Sequence, residues 1–173
     1  MNITKILNSI LFEVYTEVII VCVGTDLVTG DSYGPLVGTL LEQKCIKNVH
    51  VYGTLEKPVH ALNLVQTIQK IERDHPLCFT IAIDASLWKK DKIGYINITN
   101  SPLRPGAAVQ KKLPVVGDCS IKGIVNAIGQ PEYYALQNTR LHLIWKLAHL
   151  TVDCLSESLK LLNQSRANKT KLL

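Results

Sequence analysis

The hydrophobic residues of this chain follow two patterns that alternate along the sequence, one typical of strands and one typical of helices. Short runs rich in Val and Ile, bounded by glycine or polar turn residues, are typical of buried strands, because they are too short for a helix and are β-branched. Strict alternation of apolar and polar residues is typical of a half-exposed strand. These patterns predict five strands, at Val18–Val23, Val49–Tyr52, Cys78–Ile83, Ile93–Thr99 and Ser120–Ile128.

Between the strands, apolar residues recur at spacings of three and four, which predicts amphipathic helices. Pro35 and Pro58 lie where helices would begin, a position that tolerates proline because its missing N–H would be unpaired there anyway. Pro76 ends the third helix, because proline disfavours the helical conformation of the preceding residue. The predicted helices span residues 2–13, Pro35 to about Lys44, Lys57 to about Asp74, and Pro131 to about Asn163.

The last of these patterns is too long for the domain that the chain can form. Unbroken, it would extend about 45–50 Å at 1.5 Å per residue, whereas a domain of this size is only about 30–40 Å across. Either the helix breaks, or its distal half projects and packs on the first helix or a second copy of the chain. We favour a partial projection and a homo-oligomer. We expect one domain over residues 1–164 and a frayed tail over residues 165–173.

Strands that alternate with helices predict an α/β fold, a three-layer αβα sandwich around a mostly parallel five-stranded sheet. In such sheets ligands bind beyond the carboxyl ends of the strands, where neighbouring connections leave in opposite directions. Asp31 follows the first strand and Asp84 ends the third. The two aspartates can meet if these strands are neighbours. The Pro/Gly-rich stretch Ser101–Asp118 then reads as a long functional loop.

Composition and charge narrow the setting. The 173 residues are 47% hydrophobic and 19% charged, with a net charge of +5, which is ordinary for a globular α/β protein. A solvated surface explains the mild excess of lysine, so no nucleic-acid partner is expected. No apolar run is long enough for a membrane span, and the amino terminus does not resemble a signal peptide. Five scattered cysteines without a C-x-x-C pair favour a reducing compartment, so we expect a cytoplasmic protein without a membrane partner.

The aspartate pair offers the most definite chemistry. Two carboxylates in contact cannot both ionise cheaply, so one keeps its proton. The ionised carboxylate can then activate a water while the protonated one donates to a carbonyl oxygen, which hydrolyses a peptide. The simpler alternative is that Asp31 and Asp84 only cap or turn the chain. A third interpretation has the pair hold a divalent metal with Asp118 or Asp26 as further ligands. Otherwise we expect no cofactor, because the histidines fall in helices, at helix ends or beside a short strand.

Two other motifs in the same stretch carry less weight. Gly30-Asp31-Ser32-Tyr33-Gly34 matches G-x-S-x-G, but the serine lies several residues after the strand and not at the sharp turn that a nucleophile elbow needs. The glycines at 24, 30 and 34 resemble a phosphate-binding loop that lacks the required lysine. Cys22 lies inside a buried strand and is a poor nucleophile.

Six blocks of this sequence, spread over roughly Val18 to Leu147, form a recognisable set. They are GTDLVTGDSYGPLVGTLL, VYGTLEKPVHALNL, IAIDASL, GYINITNSPLRPGAAVQKKLPVVGD, GIVNAIG and YALQNTRL. Together they resemble the YyaC-like family of spore proteases from endospore-forming Firmicutes. That family is similar to the spore germination protease and, more distantly, to the hydrogenase-maturation endopeptidases, which share a phosphorylase/hydrolase-like sandwich.

The resemblance implies an aspartate-dependent peptidase. The germination protease has a T-x-D-x-x-G-P motif, matched at Thr29, Asp31, Gly34 and Pro35, and an I-D-A motif, matched at Ile83–Ala85. In the maturation endopeptidases the equivalent acidic pair binds nickel with a histidine, and no matching histidine is evident in this sequence. We therefore predict catalytic Asp31 and Asp84, substrate-binding Asp26 and Asp118, and a peptide or spore-protein substrate. The alternative is a non-catalytic module that binds a peptide or a metal.

Overall fold

The computed structural model of the protein describes residues 15–105 and 113–170, with side chains as far as Asn168. The helix predicted over residues 2–13 therefore lies outside the described residues. The strands are β1 (Glu17–Cys22), β2 (Val49–Tyr52), β3 (Cys78–Trp88), β4 (Ile96–Thr99) and β5 (Cys119–Ala127). The helices are α1 (Tyr33–Glu42), α2 (Leu64–Asp74), α3 (Glu132–Gln137) and α4 (Leu141–Thr170), with short 3-10 turns at Gly30–Ser32 and Lys90–Lys92.

The five strands form one sheet in the order β2-β1-β3-β5-β4. Only β4 runs antiparallel, on the edge beside β5. The three-layer α/β fold with a mostly parallel sheet is confirmed, and β1 and β3 are neighbours, which is the condition under which Asp31 and Asp84 can meet. From β1 the chain moves outward to β2, and from β3 it moves the opposite way to β5 and β4, so the topological switch lies between β1 and β3.

Alternating residues of the strands enter two cores on opposite faces of the sheet, as the two-residue period of a strand requires. Val18, Ile20 and Cys22 face α1 and α4, and Tyr33 joins that core by a 2.8 Å hydrogen bond between its hydroxyl and Thr151 Oγ1. Ile19, Val21 and Val23 of the same stretch face α2 instead. Burial on both faces explains why β1 reads as a continuous apolar run.

The third predicted helix begins later than Pro58 suggested. Val59 is buried and forms a parallel bridge with Val23, and its carbonyl accepts the Gly24 N–H at 2.8 Å. Asn63 then closes a turn by accepting the His60 N–H at 2.8 Å, and α2 starts at Leu64. A prediction of helix from Lys57 is therefore wrong for residues 57–63, because tertiary pairing with the end of β1 outweighs the local signal.

The third strand is longer than predicted, and Asp84 does not end it. Strand β1 accompanies β3 only as far as the Cys22–Ile83 pair, but β5 continues beside β3 to Trp88. Asp84 is paired with Lys122 of β5 and lies just past the last residue of β1. Asp84 therefore lies level with the carboxyl end of β1, although β3 itself continues past it.

The long carboxy-terminal pattern breaks, and its distal half does not project. Asn138–Arg140 separate α3 from α4, and Leu155, Leu159 and Leu162 of α4 are buried in the core. Near its end, Asn163 donates to the Lys47 carbonyl at 2.7 Å and Arg166 to the Tyr15 carbonyl at 2.6 Å. The expected projection is therefore wrong, whereas the frayed tail over residues 165–173 and the homo-oligomer stay predictions. In the part of the chain that is described, no helix is long and apolar enough to cross a membrane.

Candidate functional site

Two close backbone approaches shape the loop after β1. A Cβ on Gly24, whose φ is +140°, would lie 2.1 Å from the Asp31 carbonyl oxygen. A Cβ on Gly34 would lie 2.1 Å from the Val23 carbonyl oxygen. The loop therefore folds back on the end of β1 and places Asp31 in the turn that leads into α1. This close packing explains the glycines that resembled a phosphate-binding loop.

Asp31 is half-buried beside the end of β1. Its Oδ2 accepts the Thr25 N–H at 3.0 Å, a bond that favours the ionised carboxylate. Burial has the opposite and larger effect, and it raises the pKa of Asp31. The negative charge of Glu132 raises that pKa further, whereas His60 lowers it. Partial burial thus disfavours the charged form of Asp31, whereas the hydrogen bond from Thr25 favours it.

Asp84 is the more strongly perturbed of the two carboxyl groups. Burial raises its pKa well above the ordinary value, and the charge of Asp31 raises it further. A hydrogen bond from the Ala85 N–H and the charge of Lys122 act in the opposite direction. Because Asp31 and Asp84 repel each other's charge, protonation of one favours ionisation of the other. Among the hydrogen bonds of residues 15–105 and 113–170, none joins the two carboxyl groups directly.

Both aspartates line one cleft of about 370 Å³ at the carboxyl edge of the sheet. The walls come from the loop after β1, the His60 turn, the start of α3 and the flanks of the Pro-rich loop. The lining residues are Val23, Thr25, Val28, Asp31, His60, Ala61, Asp84, Ala85, Pro105, Leu113, Glu132, Tyr133 and Leu136. A mostly apolar wall with a few converging charged groups is typical of a binding site.

The cleft contains two ionisable side chains that the sequence analysis missed. Glu132, the first residue of α3, is half-buried and raises the pKa of both aspartates. His60 lies just after Val59, the residue that pairs with Val23. The sequence analysis placed His60 in a predicted helix and did not expect it beside the aspartates, and that expectation is therefore wrong. Their positions in the sequence could have indicated both residues. His60 follows the segment that pairs with the end of β1, and Glu132 follows β5, so both come after segments that end at the carboxyl edge where the aspartates were expected.

A second depression of about 320 Å³ continues from the first along β3. Asp84, Ala85 and Glu132 line both, and the second adds the positive side chains of Arg104 and Lys122. Asp84 therefore lies between an apolar half and a basic half of one longer groove.

The structure does not bring the other two predicted site residues into this cleft. Asp26 is exposed on the loop after β1 and is not among the lining residues. Asp118 is exposed before β5, where its carboxylate accepts the Thr80 N–H at 2.8 Å. Thr80 lies four residues before Asp84 on β3, about 13 Å along the strand. Asp118 therefore belongs to the opposite end of the sheet and orders the start of β5.

The serine and cysteine alternatives find no support in the geometry. Ser32 is buried, and its hydroxyl donates to the Thr29 carbonyl at 2.6 Å inside the 3-10 turn. Cys22 is buried in β1, and burial raises the pKa of its thiol, which keeps the thiol neutral.

A divalent metal at the aspartate pair finds no preformed third ligand. Within the described ranges, the three-residue group whose potential ligand atoms all lie within 4.8 Å of one another is Glu17, His50 and His75. These residues lie at the amino end of the sheet and not in the cleft.

Sequence comparison gives one family match and a close relative. A family model described as "Protein of unknown function (DUF1256)" matches residues 1–154. Over 139 residues the chain is 50% identical to the uncharacterized protein YyaC of Bacillus subtilis strain 168, and this match covers 80% of the chain and 68% of that protein.

Comparison with solved structures identifies a shared fold. The chain is similar to the NiFe-hydrogenase maturation protease HycI of Thermococcus kodakarensis KOD1, with a TM-score of 0.58 and 19% identity. The similarity covers 90% of this chain and 99% of that one, and at this identity it shows the fold alone. The hydrogenase maturating endopeptidase HybD of E. coli matches at a TM-score of 0.44 and 16% identity, too weakly to support an argument.

Proposed function

The chain belongs to the DUF1256 family, and from its cleft we propose that it is an aspartate-dependent endopeptidase in which Asp31 and Asp84 are the catalytic residues. The observation that carries this proposal is the placement of two half-buried carboxyl groups in one cleft, where burial and the nearby charge of Glu132 raise the pKa of both and the charge of Asp31 raises that of Asp84 further. Groups perturbed in this way, in a concave site, are typical of catalytic acids and bases.

The surroundings of the two groups suggest their roles. Asp84 has the more strongly raised pKa, so it holds the proton, whereas the Thr25 N–H supports the ionised form of Asp31. Asp31 then removes a proton from a water whose oxygen attacks the scissile carbonyl carbon, and Asp84 donates its proton to the carbonyl oxygen. When the tetrahedral intermediate collapses, the proton on Asp31 passes to the leaving nitrogen, and Asp84 recovers a proton from a hydroxyl of the intermediate.

The backbone beside Asp84 suits an extended peptide. Beyond Ile83, strand β3 keeps β5 on one side but no longer has β1 on the other. A peptide that adds a strand along such an edge gains main-chain hydrogen bonds and passes directly over Asp84. The apolar and basic halves of the groove would then bind residues on either side of the scissile bond. The named protease activity of the structural neighbour is consistent with a peptide substrate.

We place the substrates among proteins of the sporulating cell or spore, as the motif resemblance to spore proteases implies. This assignment also places the protein in the cytoplasm of that cell. The relative at 50% identity is itself uncharacterized, so the substrate class is the part of the proposal that rests on motifs and not on the cleft.

The test is cleavage of an unstructured peptide library and of small spore proteins, followed by mass spectrometry of the products. Asp31→Asn and Asp84→Asn should each lower the rate by about 100-fold or more, the range that general acid–base groups contribute. Asp26→Asn is the matched control, because Asp26 lies on the same loop but is exposed outside the cleft. Equal cleavage by wild type and both cleft variants would overturn the proposal.

The rate should also fall as the pH rises through the raised pKa of Asp84, because the proton that this residue donates is then lost.

A non-catalytic peptide-binding module is the second candidate. The observation in its favour is that, among the described contacts, no hydrogen bond links Asp31 and Asp84. A wild-type protein that binds library peptides without cleaving them, and loses binding when Lys122 is replaced by Gln, would support the module over the peptidase.

A further inference from the structure

A second group of charged side chains lies at the opposite end of β1. Glu17 receives two histidines on its two carboxylate oxygens. His75 Nδ1 lies 2.7 Å from Oε2, and His50 Nε2 lies 3.2 Å from Oε1. The rings of His50 and His75 are stacked at a tilt, with centroids 4.5 Å apart. Two imidazoles and one carboxylate therefore converge on one point.

The fold holds these side chains together for reasons that the sequence contains. His50 is in register with Ile19 and Tyr52 with Val21, so both project from the sheet face that carries α2. Glu17 has the same parity along β1 and faces the same way. His75 immediately follows α2 and donates its N–H to the Ile71 carbonyl at 2.8 Å, before Pro76 ends the helix. The carboxyl end of that helix thus delivers the second histidine to the amino end of the sheet.

Tyr52 contacts the ring nitrogen of His75 that does not face Glu17. Its hydroxyl lies 3.0 Å from His75 Nε2. A partner on one ring nitrogen leaves the other, Nδ1, directed at Glu17 and available as a ligand, which is the arrangement found behind metal-bound histidines. His75 has only 12% of its side chain exposed, whereas His50 has 43%, so one ligand is rigidly held and the other can adjust.

From this geometry we propose that Glu17, His50 and His75 form a binding site for a borderline divalent cation of the zinc class. Imidazole and carboxylate are the ligands that such cations prefer, and the potential ligand atoms already lie within 4.8 Å of one another. Ligands at 2.0–2.1 Å from a tetrahedral Zn²⁺ lie about 3.3 Å apart, so small side-chain rotations suffice. The ion replaces the protons that the two hydrogen bonds now share, and those protons are released to solvent.

The surroundings leave room for a fourth ligand and favour positive charge. A cavity of about 410 Å³, lined by Cys78 and Thr80 and, of the three candidate ligands, by His75 alone, adjoins the cluster on that side. The carboxyl end of a helix of 11 residues places partial negative charge near His75. Water entering from the cavity can complete the coordination. This site is at the amino end of the sheet and does not depend on the proposed peptidase activity at the other end.

The test uses the full chain, stripped of metal with a chelator and titrated with Zn²⁺ against a chromophoric competitor, and with Co²⁺ for its absorption spectrum. One Zn²⁺ per chain is expected, with a thermal midpoint that rises with Zn²⁺ concentration. His50→Gln should weaken binding by about 100-fold or more. Tyr52→Phe, which removes only the partner of His75, should weaken it by about 10–100-fold.

Three further variants separate this site from other metal-binding groups of the chain. His142→Gln removes an exposed histidine of α4 and should leave the affinity unchanged. Cys78→Ser tests the neighbouring thiol, and Asp84→Asn tests the cleft. Loss of binding in Cys78→Ser or Asp84→Asn but not in His50→Gln would overturn the proposal, as would the absence of saturable Zn²⁺ binding to the wild type. Retention of Zn²⁺ by an Asp84→Asn protein that is also inactive would support both proposals separately.

Discussion

Carboxyl groups lie near both ends of strand β1, and their pKa values are shifted in opposite directions at the two ends. At the carboxyl end, Asp31 and Asp84 lie in a cleft with a third acid, Glu132, and burial raises the pKa of both aspartates. At the amino end, Glu17 lies between two histidines, and the hydrogen bond from His75 lowers its pKa despite the opposing effect of burial. The surroundings thus favour the protonated form of Asp31 and Asp84 at one end of β1 and the ionised form of Glu17 at the other. The neighbouring side chains and the burial of each carboxyl group determine which form is favoured.

The largest expected effect comes from a variant that distorts only the carboxyl end of β1. In Gly34→Ala the new Cβ would meet backbone atoms of Val23, the nearest at 2.1 Å, which cannot move without shifting β1 from α1. We expect a loss of about 3 kcal/mol in the free energy of unfolding, or roughly 10 °C in Tm, measured by calorimetry. The histidine NMR signals at the amino end should stay in place.

Gly94→Ala is the matched control for that variant. Its φ of +90° also disfavours alanine, but the nearest atom to its Cβ is Leu143 Cδ1 at 3.7 Å. Only the conformational cost of about 1 kcal/mol should appear. Equal Tm values for the two variants would show that contact with Val23 is not what shapes the cleft.

The next effect concerns the stability of the cleft against pH. Because the pKa of Asp84 is raised on folding, the unfolded chain loses this proton at a lower pH than the folded protein does, so stability falls as the pH rises between the two pKa values. Asp84→Asn removes that cost and should raise stability at pH 8 by on the order of 1 kcal/mol. The gain should shrink towards pH 4 in urea titrations, and the exposed Asp26→Asn should show no such trend.

The smallest effect belongs to the other end of β1. The lowered pKa of Glu17 adds stability above its ordinary pKa, and this contribution is lost as the pH falls through the lowered value. Since Glu17 is 34% exposed, Glu17→Gln should cost less than about 1 kcal/mol at pH 7, and the difference should vanish once the pH falls below the lowered pKa of Glu17. A gain in stability at pH 7 would contradict the comparison, because it would mean that this carboxylate is penalised like those in the cleft. The exposed Glu56→Gln is the control in the same denaturant series.

The sheet could be predicted from the sequence because its signals are local. Runs such as Val18–Val23 and Val49–Tyr52 are short and rich in β-branched residues, which favours strands over helices. The α/β fold class follows from the alternation of such runs with helical patterns. The same reasoning placed Asp31 and Asp84 at one edge of the sheet. The family resemblance added the particular motifs but not the geometry.

What could not be predicted depends on contacts between distant segments. The pairing of Val59 with Val23 overrides a helical pattern and delivers His60 to the cleft. The continued pairing of β5 with β3 places Asp84 inside a strand rather than at its end. Glu17, His50 and His75 stand far apart in sequence, and only the register of β1 with β2 and the end of α2 bring them together. No local pattern marks such a meeting.

The anchoring of α4 has a consequence for how the protein is made. Its buried leucines complete the core against α1, and Arg166 fastens it to the backbone at Tyr15 and Thr16. During synthesis at the ribosome, the part of this sheet face that α4 covers therefore stays exposed until residues near position 166 have emerged, long after both aspartates have been translated. The hydrogen bond between the hydroxyls of Tyr33 and Thr151 likewise forms only after that part of α4 has been made. The nascent chain thus contains both aspartates well before the packing behind α1 is complete.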